Sequence, residues 1–78
     1  MTKPILYYWA PCQTCSVVVN FADEHNIELD KRDVEQEGPY QELLNLGGNA
    51  DLIPYLYDDG KLINGNDAVI AHLSEKHL

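Results

Sequence analysis

The two cysteines of this 78-residue chain, Cys12 and Cys15, stand three positions apart, and that spacing limits how the chain can be held together. A chain this short buries a smaller share of its surface than a typical domain, so its stability is modest. Small folds commonly compensate with several disulfides. A bridge between Cys12 and Cys15 would close a very short loop and remove little entropy from the unfolded chain. The fold is therefore expected to rest on one apolar core, a single domain over residues 1–78. The cysteine pair is better suited to reactivity than to reinforcement.

Thirteen acidic residues against five basic ones leave a formal net charge of −8. Nucleic-acid binding needs a basic surface, so this balance argues against that partner, and against an anionic membrane surface. It favours solubility and partners with basic patches, or it simply solvates exposed helix faces. The apolar run Ile5 to Tyr8 is too short for a membrane span or a signal-peptide core, so a cytoplasmic location is expected. In a reducing compartment a Cys-x-x-Cys pair is more often catalytic, redox-sensing or metal-binding than structural.

The chain carries no repeat or linker. Lys3 to Tyr8 reads as a buried strand, broken by Ala10-Pro11. From about Cys12 to His25, Cys15, Val18, Phe21 and Ala22 fall at helical spacing. Ile27 to Val34 alternates as a second strand with one face wet. Gly38-Pro39 opens a short helix carrying Tyr40, Leu43, Leu44 and Leu46, and Gly47-Gly48 stops it. Leu52 to Tyr57 is a third strand with Pro54 inside it. Asp58-Asp59-Gly60-Lys61 is a hairpin turn, Leu62-Ile63 a fourth strand, and Asn66 or Asp67 can cap a last helix with Val69, Ile70 and Leu73. The order β-α-β-α-β-β-α predicts an α/β fold: two parallel strands joined by a right-handed crossover, an antiparallel hairpin, and one mixed four-stranded sheet with helices on both faces.

Cys-x-x-Cys could be half of a zinc site. Closed zinc sites take four ligands, and His72 and His77 have spacing similar to the second half of a two-Cys, two-His set. They lie about sixty residues away on the last helix, however, and the cysteines sit between a strand and a helix, so no metal is assigned. The redox reading has a mechanism. Cys12 at a helix start faces unpaired N–H groups and the positive end of the helix dipole, which favour a thiolate. Cys15, one turn on, can attack the mixed disulfide that Cys12 forms. Pro54 within an apolar strand marks either an edge or a cis peptide that leaves backbone groups free for a peptide-like substrate.

The opening strand ending in Tyr7-Tyr8, Cys12-Gln13-Thr14-Cys15, Ile53-Pro54 forty-two residues beyond Cys12, and Ile63-Asn64-Gly65-Asn66-Asp67 together resemble the glutaredoxins, within the thioredoxin-fold superfamily. The stretch from Ile53 through Asp59-Gly60-Lys61-Leu62 to Leu73 also resembles the N-terminal domain of glutathione transferases, which share that fold. The resemblance implies a thiol–disulfide oxidoreductase acting on protein or glutathione mixed disulfides, with Cys12 as nucleophile and Cys15 as resolving thiol. It implies that Pro54 is a cis-proline and that the Ile53 backbone pairs with the cysteinyl part of glutathione. Asn66 and Asp67 fall where the family binds the γ-glutamyl end, in keeping with the N–H groups of a helix start; helix capping is the competing use. No tightly bound cofactor is implied, and glutathione is the expected reductant.

Five positions depart from the family pattern. Gln13-Thr14 replaces Pro-Tyr between the cysteines. Trp9 stands where a lysine usually pairs with the glycyl carboxylate of glutathione, which weakens that contact, and the negative net charge acts in the same sense within the 8–10 Å reach of unscreened charge. Asn64 replaces a glycine and Ala68 an aspartate. Trp9 also resembles the tryptophan before the thioredoxin motif, and with Gln13 and Thr14 it forms a candidate contact surface for a partner. Expected partners are disulfide-containing proteins and either glutathione or a flavoprotein disulfide reductase, with the chain monomeric. The alternatives are an iron–sulfur carrier that shares a cluster between two Cys12 thiolates, which the presence of Cys15 disfavours, and a non-catalytic glutathione-binding module.

Overall fold

Local signals fix where each element starts and stops. The computed structural model describes residues 3–78. Strand β1 (Ile5–Tyr8) is followed by helix α1 (Gln13–Glu24), strand β2 (Asp30–Asp33) and helix α2 (Glu37–Asn45). A short 3-10 turn (Ala50–Leu52), strands β3 (Tyr55–Asp58) and β4 (Lys61–Asn64) and helix α3 (Asn66–His77) complete the chain. The strand order is β2-β1-β3-β4, with β1 parallel to β2 and antiparallel to β3, and β3 antiparallel to β4. This is the mixed four-stranded α/β sheet that the element order predicts.

Alternation along the central strands distributes the core to both faces, because successive strand side chains point oppositely. Leu6 and Leu56 meet Val18 of α1 and Val69 and Leu73 of α3 on one face. Tyr7 and Tyr55 meet Val34 and Leu43 of α2 on the other. The edge strand β2 reads Asp30-Lys31-Arg32-Asp33, and the Arg32 guanidinium pairs with Asp30 and with Glu42 of α2.

Three boundaries differ from the sequence reading. Ile27 and Leu29 lie before β2, not in it. Helix α1 ends in a Schellman motif: the Ile27 N–H donates to the Ala22 carbonyl (2.8 Å), the Asn26 N–H to Asp23, and Asn26 takes a φ of 56°. Ile27 is thus the apolar residue that closes a helix cap, a role with the same spacing as a strand start. Helix α2 ends the same way, with Gly47 at φ 95° and the Gly48 N–H on the Leu43 carbonyl. Pro54 precedes β3 instead of lying inside it. Asn49 accepts a hydrogen bond from the Asp51 N–H and winds residues 50–52 into the 3-10 turn, so the strand begins after the proline. Finally, Gly65, not Asn66 or Asp67, is the N-cap of α3, and no side chain caps that helix. The hairpin Asp58–Lys61 has φ of 55° at Asp59 and 75° at Gly60, the two positive values of a type I′ turn.

Candidate active site

The sheet register gathers the sequence-nominated residues at one end of the molecule. Tyr7 is opposite Tyr55, and Tyr55 is opposite Asn64. Hence the exit of β1 (Trp9 to Cys12), the approach to β3 (Ile53-Pro54) and the exit of β4 (Gly65 to Asp67) lie side by side. A hydrogen bond from the Gly65 N–H to the Pro54 carbonyl (3.1 Å) ties the last two together. The Ile53–Pro54 peptide is cis and Pro54 is buried. Asn64 donates its side-chain amide to the Leu52 and Pro54 carbonyls, bracketing this peptide. The Ile53 carbonyl has no hydrogen-bond partner among the described residues.

Cys12 is the N-cap of α1, in an extended conformation (φ −75°, ψ 119°), with its carbonyl accepting the Ser16 N–H. Its thiol is half-buried and lies 3.0 Å from the Thr14 hydroxyl. Burial pushes the Cys12 thiol up, but hydrogen bonds from the Thr14 hydroxyl, from the Cys15 thiol and from the backbone N–H groups of Cys15 and Thr14 outweigh it and hold it below the ordinary range. This is the environment of a reactive thiol. Cys15 is 1% exposed. Burial pushes its thiol up to about 12, only partly offset by a backbone hydrogen bond from Trp9, and the neighbouring Cys12 and Asp33 push the same way. Both cysteines are free thiols.

The other nominated residues surround this pair unequally. Trp9 is 41% exposed, its ring available to a partner, and Gln13 is exposed with its carbonyl capped by the Ser16 hydroxyl at 2.7 Å. The Asn66 Oδ1 atom is buried and without a partner among the described residues, while Asp67 is exposed in the first turn of α3. A buried polar atom is ordinarily satisfied, so a donor has a place there. His72 and His77 are not brought to the cysteines. They meet Asp58 at the opposite end of the sheet. The sequence offers Thr14 as part of a contact surface for a partner and Asn64 only as a departure from a pattern, not the hydrogen bonds that they make; a hydroxyl two residues after a cysteine is the available signal for the first.

The family defined as glutathione S-transferase, N-terminal domain, matches residues 6–78. The chain belongs to that family. The transferase-family resemblance, legible in the sequence over residues 53–73, therefore extends through the first strand and the cysteine pair. Among solved structures, a glutathione S-transferase from Bombyx mori superposes with a TM-score of 0.80 at 18% identity, over 97% of this chain and 36% of that one. A glutathione S-transferase from the Antarctic clam Laternula elliptica gives 0.71 at 23% identity, over 97% and 36%. Glutaredoxin from Brucella melitensis gives 0.66 at 18% identity, over 99% and 83%. These likenesses establish the thioredoxin-like fold. The transferase-family domain spans 36% of the length of each transferase and 83% of the glutaredoxin. No curated protein sequence matches it. No helix is long and apolar enough to cross a membrane among the described residues.

Proposed function

We propose that this domain is a glutathione-dependent thiol–disulfide oxidoreductase, with Cys12 as the attacking thiol. The observation that carries the reading is the contrast between the two thiols: Cys12 is half-exposed with its pKa lowered, and Cys15 is sealed in the core with its pKa raised to about 12. The Cys12 thiolate attacks a sulfur of the substrate disulfide, a Cys12–substrate disulfide forms, and the other sulfur leaves as a thiol after taking a proton. A second thiol then attacks Cys12, releasing the reduced substrate. If Cys15 resolves, the product is a Cys12–Cys15 disulfide, and two glutathione molecules restore the dithiol while becoming oxidised glutathione. Because Cys15 holds its proton so firmly, glutathione, with a thiol near the ordinary pKa of about 8.5, is the better resolving thiol at neutral pH. A flavoprotein reductase is the competing donor.

Three groups support a glutathione site beside Cys12. The Ile53 carbonyl is free to accept from a peptide-like N–H. The orphaned Asn66 Oδ1 can accept from an ammonium, and the α3 start offers N–H groups to a carboxylate. The family match favours a second reading on its own, a glutathione-binding module without turnover. One experiment separates them: reduction of hydroxyethyl disulfide coupled to glutathione and glutathione reductase, or to thioredoxin reductase, alongside glutathione binding by calorimetry. Glutathione-driven turnover, abolished in Cys12→Ser and retained in Cys15→Ser, is the expected result. Glutathione binding with no turnover in the native domain identifies the module, and full activity in Cys12→Ser overturns the mechanism.

A further inference from the structure

A second cluster of titratable side chains lies at the far end of the sheet. Asp58 closes β3, where the register sets it away from the Cys12 end, and His72 and His77 belong to the last turns of α3. Residues five apart on an α-helix point about 140° away from one another, so this histidine pair does not converge by helix geometry alone. It converges because Asp58 stands between them: both Nε2 atoms lie 2.8 Å from the same carboxylate oxygen, Oδ2. The ligating atoms of the three residues all fall within 4.8 Å of one another. The side chains of Asp58 and His72 are 14% and 12% exposed, and that of His77 is 29% exposed. The trio is thus largely shielded from water but open on the His77 side.

We propose that Asp58, His72 and His77 form a binding site for a divalent transition-metal ion of the zinc class. Two imidazole nitrogens and one carboxylate oxygen suit zinc, cobalt, nickel or copper, whereas magnesium and calcium take oxygen ligands throughout. Ligand bonds of about 2.0–2.2 Å place tetrahedral donors roughly 3.3–3.5 Å apart. The present spacing lies on both sides of that value, so an ion can enter by side-chain rotation, with the exposed His77 swinging outward. Three protein ligands leave a position for water or a small anion, the arrangement of open zinc sites as opposed to closed structural ones. An ion there would also fasten the end of β3 to the end of α3. The competing account is a metal-free trio in which Asp58 accepts two imidazole N–H bonds.

The test uses the full chain carrying Cys12→Ser and Cys15→Ser, which removes the thiols as zinc ligands and makes the outcome independent of the reductase reading. Titration with zinc chloride near pH 7.5, followed by calorimetry, is expected to show one ion per chain. Zinc at a hundredfold excess over its Kd is expected to raise the Tm by roughly 10 °C or more. Cobalt(II) is expected to give a visible absorption band on binding. His77→Ala in the same background leaves every carboxylate of this acidic chain in place, and is expected to weaken zinc at least about tenfold and to lose the cobalt band; His72→Ala is expected to do the same. His77 is on the surface, and unchanged far-ultraviolet circular dichroism confirms its fold. Absence of one-to-one zinc binding overturns the proposal, as does zinc binding undiminished in His77→Ala or matched by magnesium, either of which would assign the ion to scattered carboxylates.

Discussion

Of the four hydrogen bonds that distinguish the Cys12 thiol from an ordinary one, the largest effect comes from a hydroxyl. The Thr14 side chain lies 3.0 Å from the thiol, and none of the groups that lower its pKa is a cation. Thr14→Ala is therefore expected to raise the Cys12 pKa and slow its alkylation by iodoacetamide at pH 7 by about threefold to tenfold, since one pKa unit changes the thiolate fraction about tenfold. Mass spectrometry of the labelled peptides against pH checks this. In the native domain the same measurement should show Cys12 labelled at neutral pH, and Cys15 protected until the pH approaches 12. Trp9→Lys restores a cation beside the site. It is expected to tighten glutathione by up to about fivefold, the range of an exposed ion pair, read by calorimetry at low salt; unchanged affinity would show that charge at position 9 is immaterial. At this scale the sequence revealed which residues to inspect but not all of their contacts. Cys12 and Cys15 are legible because their spacing spans one helical turn. Asn64 and Asp58 are not, because their partners lie ten or more positions away and only the folded sheet brings them near.

Helix ends carried more information than the strands. The glycine pair after α2 foretold its stop, and the structure gives the reason: Gly47 takes the left-handed turn and Gly48 approaches Leu43 closely. A methyl group at Gly48 would overlap the Leu43 Cδ1 atom, and Leu43 is fully buried. Gly48→Ala is accordingly expected to cost about 1–3 kcal/mol, the range of core overpacking, measured by urea unfolding. Asn26 holds the matching position after α1 at φ 56°, and Asn26→Ala is expected to cost roughly 1–2 kcal/mol, since alanine has no side-chain hydrogen bond to offset the left-handed backbone. The second strand is shorter than its apolar pattern suggests for the same physical reason. An apolar residue that closes a Schellman motif and one that begins a strand look alike in sequence, and Ile27 is the former. The mixed character of the sheet is legible, because a βαβ unit makes one pair parallel and an Asp-Gly hairpin another antiparallel, whereas the β1–β3 pairing that joins them is set by long-range packing that no local signal carries.

Across the whole molecule, ionisation of the buried thiol couples chemistry to stability. The folded-state pKa of Cys15 is raised to about 12 from an unfolded value near 9, so the folded state holds the proton more tightly. That contribution is complete below the unfolded value and is lost as pH rises through the folded one. Reduced protein is thus expected to lose urea resistance between about pH 9 and 12, with a steeper slope than Cys15→Ala; parallel slopes would remove the coupling. The β2 edge of the sheet carries a different consequence. Strand β2 exposes one row of backbone groups, and all four of its residues are charged. An edge of this kind cannot receive a strand from another molecule without stripping water from those charges. This edge is therefore guarded against strand addition at high concentration, and replacing Lys31 and Asp33 with valine is expected to convert that boundary into a nucleus for aggregation, visible as light scattering above that of the native domain.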